Sequence, residues 1–254
     1  MSLLSIRQAP PWTLLATEPL RAAWEYAAHW THGRPAQQAG AESHPVVIFP
    51  GLASNGLAVG PLRRHCSAIG HPALDWGRGF NTGPSGEVGV WLDELAAHTA
   101  ALLESTPGRA SLIGWSLGGF YAREVAKRIP HRVRQVITIG TPFNGDPSHS
   151  NVEWLFKLVN RSTALTDTQL TLELRTPPPV PCTAVYSRGD GIVDWDGCRH
   201  VADVPGRRNI EVTGSHLGMG WNPAVLQVIR HQLAEHNDPD RPASRRRMRG
   251  LLTA

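Results

Sequence analysis

Cysteine is scarce in this chain of 254 residues, which contains only Cys66, Cys182 and Cys198. None of the three lies in a CxxC pattern or at the spacing from histidine that zinc sites use, so we predict no metal ion. An odd number of cysteines does not suit a framework of disulfides, and a single disulfide between Cys182 and Cys198 is the alternative. Reduced thiols are the default for a cytoplasmic protein.

Long apolar runs are also lacking. No stretch approaches the roughly 20 residues with which an α-helix spans a bilayer. The first residues, MSLLSIRQAPPW, lack the charged start and the apolar run of a secretory signal peptide. We therefore predict a cytoplasmic protein without a transmembrane segment.

A strong excess of charge is missing from most of the chain. The formal net charge is +4 and the pI is about 9.3. Residues 238–254 hold five arginines against two aspartates, so this tail carries +3 and the rest of the chain +1. We interpret 238–254 as a disordered basic tail. Because no nucleic-acid motif accompanies it, we predict no nucleic-acid partner and keep weak contact with an anionic membrane surface as the alternative.

The composition is that of an ordinary globular protein, with 41% apolar and 18% charged residues. Residues 1–44 are predicted to form an N-terminal helix and a polar linker. Thr17 is the predicted helix cap, with Pro19 in the first turn. The helical spacing of Leu20 and Trp24 predicts that this apolar side packs on the domain.

From residue 45 to 237, short apolar runs alternate with helical patterns. The continuous apolar run Val46-Val47-Ile48-Phe49, ended by Pro50-Gly51, suits a strand that is buried on both faces. This alternation predicts an α/β domain with a mostly parallel sheet of about six strands and helices on both faces. The predicted strands are 46–49, 72–76, 111–113, 133–139, 183–186 and 209–212, and the predicted helices are 61–69, one capped by Ser85, 117–128 and 223–233.

The segment from Gly114 to Gly118 reads Gly-Trp-Ser-Leu-Gly and matches the pattern G-x-S-x-G. It lies between a predicted strand and a predicted helix, which is the setting this pattern requires. A sharp, strained turn there lifts the serine hydroxyl above the sheet, and the glycines let the two backbones approach. We predict that Ser116 is a nucleophile. The alternative is a glycine-rich turn in which the serine is incidental.

A serine nucleophile needs a base, and the base needs an acid that orients it. Asp190 follows a predicted strand 74 residues after Ser116, and His216 follows the next strand 26 residues later. We predict that these two residues are the acid and the base. Asp194 and Asp196 are the alternative acids, but Asp190 is nearer to the strand end.

The negative charge of a tetrahedral intermediate needs backbone N–H donors. The residue after the nucleophile, Leu117, is one predicted donor. The loop after the first strand begins Pro50-Gly51, and Leu52 is the second predicted donor. A simple Pro-Gly turn is the alternative interpretation of this loop.

Five segments together resemble the α/β-hydrolase superfamily and, within it, the bacterial lipases and esterases. They are VVIFPGL, GWSLGG, ITIGTPFNG, SRGDGIV and GSHLGM, and the resemblance covers about residues 45–235. It implies an α/β-hydrolase fold with a small lid insertion over about 146–178. Asn81-Thr82-Gly83-Pro84 is also similar to lipase-like members, or is only a turn. The Pro-Gly loop departs from the His-Gly of many members.

The resemblance implies a serine hydrolase that cleaves carboxylic esters of small molecules or lipids through an acyl-enzyme. Neither a metal nor an organic cofactor is expected. An acyltransferase, an amidase or a polyester depolymerase on the same three side chains is the alternative. A non-catalytic binding protein on the same scaffold is a further alternative.

Overall fold

The computed structural model describes residues 10–31, 43–144, 173–201 and 205–235. Within them, six strands form one sheet in the order β2-β1-β3-β4-β5-β6, and every neighbouring pair is parallel. This confirms the predicted sheet. The strands are β1 (Val46–Phe49), β2 (Ala73–Asp75), β3 (Ala110–Trp115), β4 (Val133–Ile139), β5 (Cys182–Tyr186) and β6 (Arg207–Glu211).

Helices cover both faces of this sheet, as predicted. In chain order they are α1 (Trp12–Thr31), α2 (Gly60–Ala68), α3 (Val88–Leu102), α4 (Leu117–Arg128) and α5 (Pro223–Ala234). Apolar side chains of α3 and α4 share one core with the sheet, while those of α2 and α5 share the other. Three short 3-10 turns are also present in the described residues. They lie after α4 at Pro130–Arg132, in the loop after β5 at Asp196–Cys198 and in the loop after β6 at Leu217–Gly220.

Strand β1 shows why the sheet needs a helix layer on each side. Its four side chains are all buried. Val47 and Phe49 belong to the core beneath α3 and α4, whereas Val46 and Ile48 belong to the core beneath α2 and α5. Because side chains alternate along a strand, a run without polar residues is stable only between two apolar layers.

Helix α1 begins earlier than the sequence pattern indicated. It starts at Trp12, directly after Pro11, whose carbonyl accepts the first helical hydrogen bonds. The prediction that Thr17 caps the helix is wrong, because the Thr17 hydroxyl donates back to the carbonyls of Thr13 and Leu14 inside the helix. Pro19 therefore lies within the helix rather than in its first turn.

The predicted packing side of α1 is also wrong. Leu20 and Trp24 are 75% and 77% exposed, whereas Glu18 is 1% exposed and Ala22 is buried. The helix faces the domain with Glu18 because the loops beneath it present backbone N–H groups, and the Glu18 carboxylate accepts their hydrogen bonds.

The cap of helix α3 lies two residues after the predicted one. Glu87, and not Ser85, is the capping residue, and its carboxylate accepts the amides of Gly89 and Val90 at 2.9 and 2.7 Å. Two acceptor oxygens satisfy two free amides of the first turn, which a serine hydroxyl does not do.

Several predicted segments lie wholly or largely outside the described residues. They are the linker, most of the lid insertion at 146–178 and the basic tail at 238–254. Among the residues that the structure describes, no helix is both long and apolar enough to cross a bilayer.

Candidate active site

Ser116 occupies the turn between β3 and α4, at the edge where the parallel strands end. Its backbone has φ 54° and ψ −121°, which is strained for a residue with a side chain and costs about 1–3 kcal/mol. The surrounding structure holds this conformation: the Ser116 amide donates to the carbonyl of Ile139 at 2.8 Å. The Thr141 hydroxyl donates to the Ser116 carbonyl at 2.9 Å.

Glycine is required on both sides of this turn. A Cβ at Gly114 would lie 2.2 Å from the carbonyl oxygen of Gly118, and a Cβ at Gly118 would lie 2.2 Å from that of Phe49. Both obstacles are backbone atoms, which cannot rotate away. The pattern around Ser116 therefore reflects the close approach of β1, β3 and α4.

His216 and Asp190 lie next to Ser116, as expected from their positions after β6 and β5. The His216 Nε2 atom is 3.0 Å from the Ser116 Oγ atom. On the other side of the ring, Nδ1 is 2.6 Å from the Asp190 Oδ2 atom. His216 and Asp190 are each 3% exposed, while Ser116 is half-buried and accessible. The three side chains form one continuous chain of hydrogen bonds.

The alternative acids do not take the place of Asp190. The second oxygen of Asp190 accepts the amides of Ile192 and Val193 at 2.9 and 2.8 Å, which orients its other oxygen toward the imidazole. An Asp194 carboxylate oxygen accepts the amide of Asp196 at 3.1 Å. Asp196 itself pairs with Arg199.

The charge state of His216 is set by opposing effects. Complete burial disfavours the imidazolium and would lower the pKa of His216. The charge of Asp190, its hydrogen bond to the ring and the charge of Glu18 outweigh burial and raise the pKa above the ordinary 6.5. An imidazolium formed at this position is therefore stabilised without access to water.

The two predicted oxyanion donors flank Ser116. Among the described residues, neither the Leu52 amide nor the Leu117 amide donates a hydrogen bond. Leu117 is the first residue of α4, where an amide has no partner within the helix. The loop of Leu52 is close, because a Cβ at Gly51 would lie 3.4 Å from the Ser116 Cβ. The two amides therefore stay predicted oxyanion donors, Leu117 at the start of α4 and Leu52 in the loop that approaches Ser116.

Asn81 holds the loop after β1, a role that the likeness of its segment to lipase-like members does not by itself indicate. Asn81 is fully buried, and its side-chain amide donates to the carbonyls of Pro50 and Gly51 at 2.9 and 3.0 Å. Its backbone pairs with Ala53 and Ser54 through bonds of 2.9 and 2.8 Å. Asn81 therefore fixes the loop that carries Leu52. The one sequence signal for it is an Asn in the turn-like segment Asn81-Thr82-Gly83-Pro84.

The cysteines do not offer a second nucleophile. Cys66, Cys182 and Cys198 are buried and free, so the alternative pairing of Cys182 with Cys198 is absent. Burial raises the pKa of Cys66 to about 12 and that of Cys182 to about 11, which keeps both as unreactive thiols. In the described part of the chain, no group of three or more His, Cys, Asp or Glu side chains is placed to hold a metal ion.

Known structures share this architecture. Aspergillus fumigatus lipase B superposes with a TM-score of 0.56 at 19% identity, covering 82% of this chain and 58% of the lipase. A monoacylglycerol lipase from Paleococcus ferrophilus superposes with a TM-score of 0.55 at 16% identity, covering 76% of this chain and 94% of the lipase. No family model matches the chain.

Curated sequences match over shorter segments. A pimeloyl-[acyl-carrier protein] methyl ester esterase from Aromatoleum aromaticum is 39% identical over 66 residues, which is 25% of this chain and 26% of that protein. The esterase of the same description from Shewanella woodyi is 31% identical over 101 residues, or 39% of this chain and 37% of that protein. The matches thus span between a quarter and two fifths of these relatives.

The parallel sheet, its strand order and the strained serine turn define an α/β-hydrolase fold, as the resemblance implied. The chain is similar in sequence to bacterial esterases and similar in structure to lipases.

Proposed function

We propose that this protein hydrolyses carboxylic esters through an acyl-enzyme formed on Ser116. The observation that carries the proposal is the hydrogen-bonded chain from the Ser116 hydroxyl through His216 to Asp190, with distances of 3.0 and 2.6 Å. A neutral imidazole within reach of a serine hydroxyl, held by a buried carboxylate, is the arrangement that activates such a nucleophile.

Acylation uses each of these groups once. His216 Nε2 takes the hydroxyl proton as the Ser116 Oγ atom bonds to the ester carbon. Asp190 stabilises the imidazolium, and the Leu52 and Leu117 amides stabilise the negative oxygen of the intermediate. The bond between the ester carbon and the alcohol oxygen then breaks, and His216 returns its proton to the leaving alcohol.

Deacylation repeats these steps with water. His216 removes a proton from the water that attacks the acyl group, and Ser116 recovers its hydrogen when the acid product leaves. Oxygen, hydrogen and charge balance within the side chains and the water, so the cycle needs neither a metal nor an organic cofactor.

The relatives guide the choice of first substrates. Methyl esters are named for the curated relatives, and longer acyl esters are implied for a lipase. We expect methyl and p-nitrophenyl esters to be hydrolysed, and a series of acyl lengths separates an esterase from a lipase.

A cytoplasmic location is kept as a prediction that cell fractionation tests.

The deciding experiment combines turnover with labelling. A fluorophosphonate probe should attach to Ser116, as mapped by peptide mass spectrometry, and Ser116→Ala should lower ester hydrolysis by about 10⁴-fold or more. Ser85→Ala, at an exposed position, is the matched control and should leave the rate unchanged. Absence of labelling together with absence of hydrolysis would favour a binding protein.

Transfer and amide cleavage are separated by product analysis. With an added alcohol, an acyltransferase forms a new ester in preference to the free acid. With p-nitroanilides, an amidase releases p-nitroaniline. We expect the free acid to be the main product with the added alcohol, and p-nitroanilides to be cleaved far more slowly than p-nitrophenyl esters.

A further inference from the structure

Helix α1 presents two acidic side chains to the loops that carry the predicted base and acid. Glu18 and Glu25 are seven residues apart, which is two helical turns, so they point to the same side. Arg21 lies between them on the same stripe. The ester-cleaving groups described above come from residues 52–216, so α1 lies outside the segment that supplies them.

Glu18 binds the backbone of two loops, which the Ser187 hydroxyl also joins by donating to the Gly214 carbonyl at 2.7 Å and accepting the Gly214 amide at 3.1 Å. One carboxylate oxygen accepts the amide of Gly191 at 2.8 Å and that of His216 at 3.0 Å. The other oxygen accepts the amide of Leu217 at 2.9 Å. Gly191 follows Asp190, so a single carboxylate contacts the backbone beside the acid and the backbone of the base.

The surroundings hold Glu18 in this position. Arg21 donates to Glu18 at 2.9 Å and to the Gly189 carbonyl at 2.6 Å. Glu25 accepts the amide of Ser215 at 2.7 Å. A Cβ at Gly191 would lie 2.5 Å from the Leu14 carbonyl carbon, so the helix backbone and the acid loop are in direct contact.

A purely structural role explains this site poorly. Burying a carboxylate costs several kcal/mol unless it is fully paired, and an apolar contact would attach the helix at less cost. Glu18 is 1% exposed, and its partners are three loop amides and one guanidinium. The amides belong to the two loops whose separation sets the distance between His216 and Asp190.

We propose that Glu18 is a positioning residue, which locks the loop of His216 to the loop of Asp190 from helix α1. This inference rests on the proposed function. It adds a fourth side chain, 98 residues before Ser116, on which the alignment of the other three depends.

The charge of Glu18 has a measurable consequence at the imidazole. Among the described residues, the charged groups that act on His216 are Asp190 from the acid loop and Glu18 from α1. The other two charged groups of α1 that face these loops contact neighbouring backbone instead, Arg21 at the Gly189 carbonyl and Glu25 at the Ser215 amide. Burial lowers the pKa of His216, while Asp190 and Glu18 both raise it. Removing the negative charge at Glu18 therefore lowers the pKa of His216.

The test compares Glu18→Gln with Glu25→Gln, which neutralises the other loop-binding carboxylate of the helix. In protein labelled with ¹⁵N at histidine, the His216 ring is titrated by NMR, with assignment from His216→Gln. We expect the pKa of His216 to fall in Glu18→Gln and to stay in place in Glu25→Gln. Steady-state kinetics on a p-nitrophenyl ester should show kcat lowered by about 10- to 100-fold at nearly unchanged KM in Glu18→Gln.

Glu18→Asp covers the possibility that Glu18→Gln does not fold. It keeps the charge, so the pKa of His216 should remain near that of the wild type while kcat falls, because the shorter side chain reaches fewer amides. Wild-type kcat and an unmoved pKa in a folded Glu18→Gln protein would overturn the proposal. The NMR titration does not depend on turnover, so an inactive wild type would count against ester hydrolysis and not against the role of Glu18.

Discussion

The side-chain amide of Asn81 donates a hydrogen bond of 3.0 Å to the carbonyl oxygen of Gly51. The same nitrogen reaches the Pro50 carbonyl at 2.9 Å, and the Tyr121 hydroxyl donates to the Asn81 side-chain oxygen at 3.2 Å. A residue from the loop after β2 thus holds the first turn of the loop after β1. The proposed oxyanion donor Leu52 follows directly.

Asn81→Ala should lower kcat more than it disturbs substrate binding. It removes the Asn81 donor from the Pro50 carbonyl and leaves the Gly51 carbonyl with the Ser54 hydroxyl, so the backbone before Leu52 is held less firmly. Loss of one oxyanion donor costs about 10²- to 10³-fold in kcat. The comparison is Asn209→Ala, which loses two side-chain hydrogen bonds, both to the backbone of His200. We expect both variants to lose stability in urea melts and only Asn81→Ala to lose kcat. Equal kcat values would show that the loop does not depend on Asn81.

Replacing the acid without changing its size separates the candidate carboxylates. Asp190→Asn removes the charge that faces His216 Nδ1 and favours the wrong tautomer, so kcat should fall by about 10⁴-fold. Asp194→Asn should retain kcat within about tenfold, since Asp194 binds the amide of Asp196. Initial rates on one p-nitrophenyl ester decide the order. The reverse order would transfer the acid role to Asp194.

The pH dependence of kcat/KM follows from the raised pKa of His216. The base is active only when neutral, so kcat/KM should rise as the pH increases through the pKa of the folded protein. Because this pKa lies above 6.5, the midpoint of the rise should also lie above pH 6.5. Profiles from pH 5 to 9 with an uncharged ester measure it. A midpoint below 6.5 in an otherwise stable protein would contradict the assigned balance of burial and charge.

Gly118→Ala should destabilise the fold and impair the site together. Its Cβ would lie 2.2 Å from the Phe49 carbonyl oxygen, so β1 and α4 must separate, at a cost of about 1–3 kcal/mol. Gly60→Ala is the control, because its nearest neighbour is the Arg64 guanidinium at 3.2 Å, the end of a flexible side chain. Urea unfolding at pH 7 compares them. Equal midpoints would mean that the backbone relaxes without cost.

Local patterns were sufficient for most of the secondary structure. The Val-Val-Ile-Phe run corresponds to β1, since a strand buried on both faces tolerates few polar residues. The outer strands β2 and β6 are only half-buried, and β6 begins two residues earlier than the Asn209 start that its pattern indicated. The ends of elements were less accurate: Thr17 and Ser85 resemble caps, but Trp12 begins one helix and Glu87 caps the other. Caps are decided by which side chain reaches free amides, and several nearby residues have suitable chemistry.

The predicted site residues converge in the structure, while their catalytic roles stay predictions until the variants are measured. Ser116, Asp190 and His216 were identified because each follows a strand, and parallel strands end at a common edge. Asn81 and Glu18 were not identified. Each acts through hydrogen bonds to the backbone of a distant segment, and no periodicity in the chain indicates such a partner.

The alternation of strands and helices and the G-x-S-x-G turn at Ser116 could be predicted from the chain alone, because burial periodicity and a short motif are local properties. Contacts between distant segments determine the space that Gly118 leaves to Phe49, the carboxylate that faces His216, the side chain that holds the loop of Leu52 and the buried side of α1. These choices depend on where unpaired amides and carbonyls meet across the fold. A buried polar group must find such a partner, wherever in the chain that partner lies.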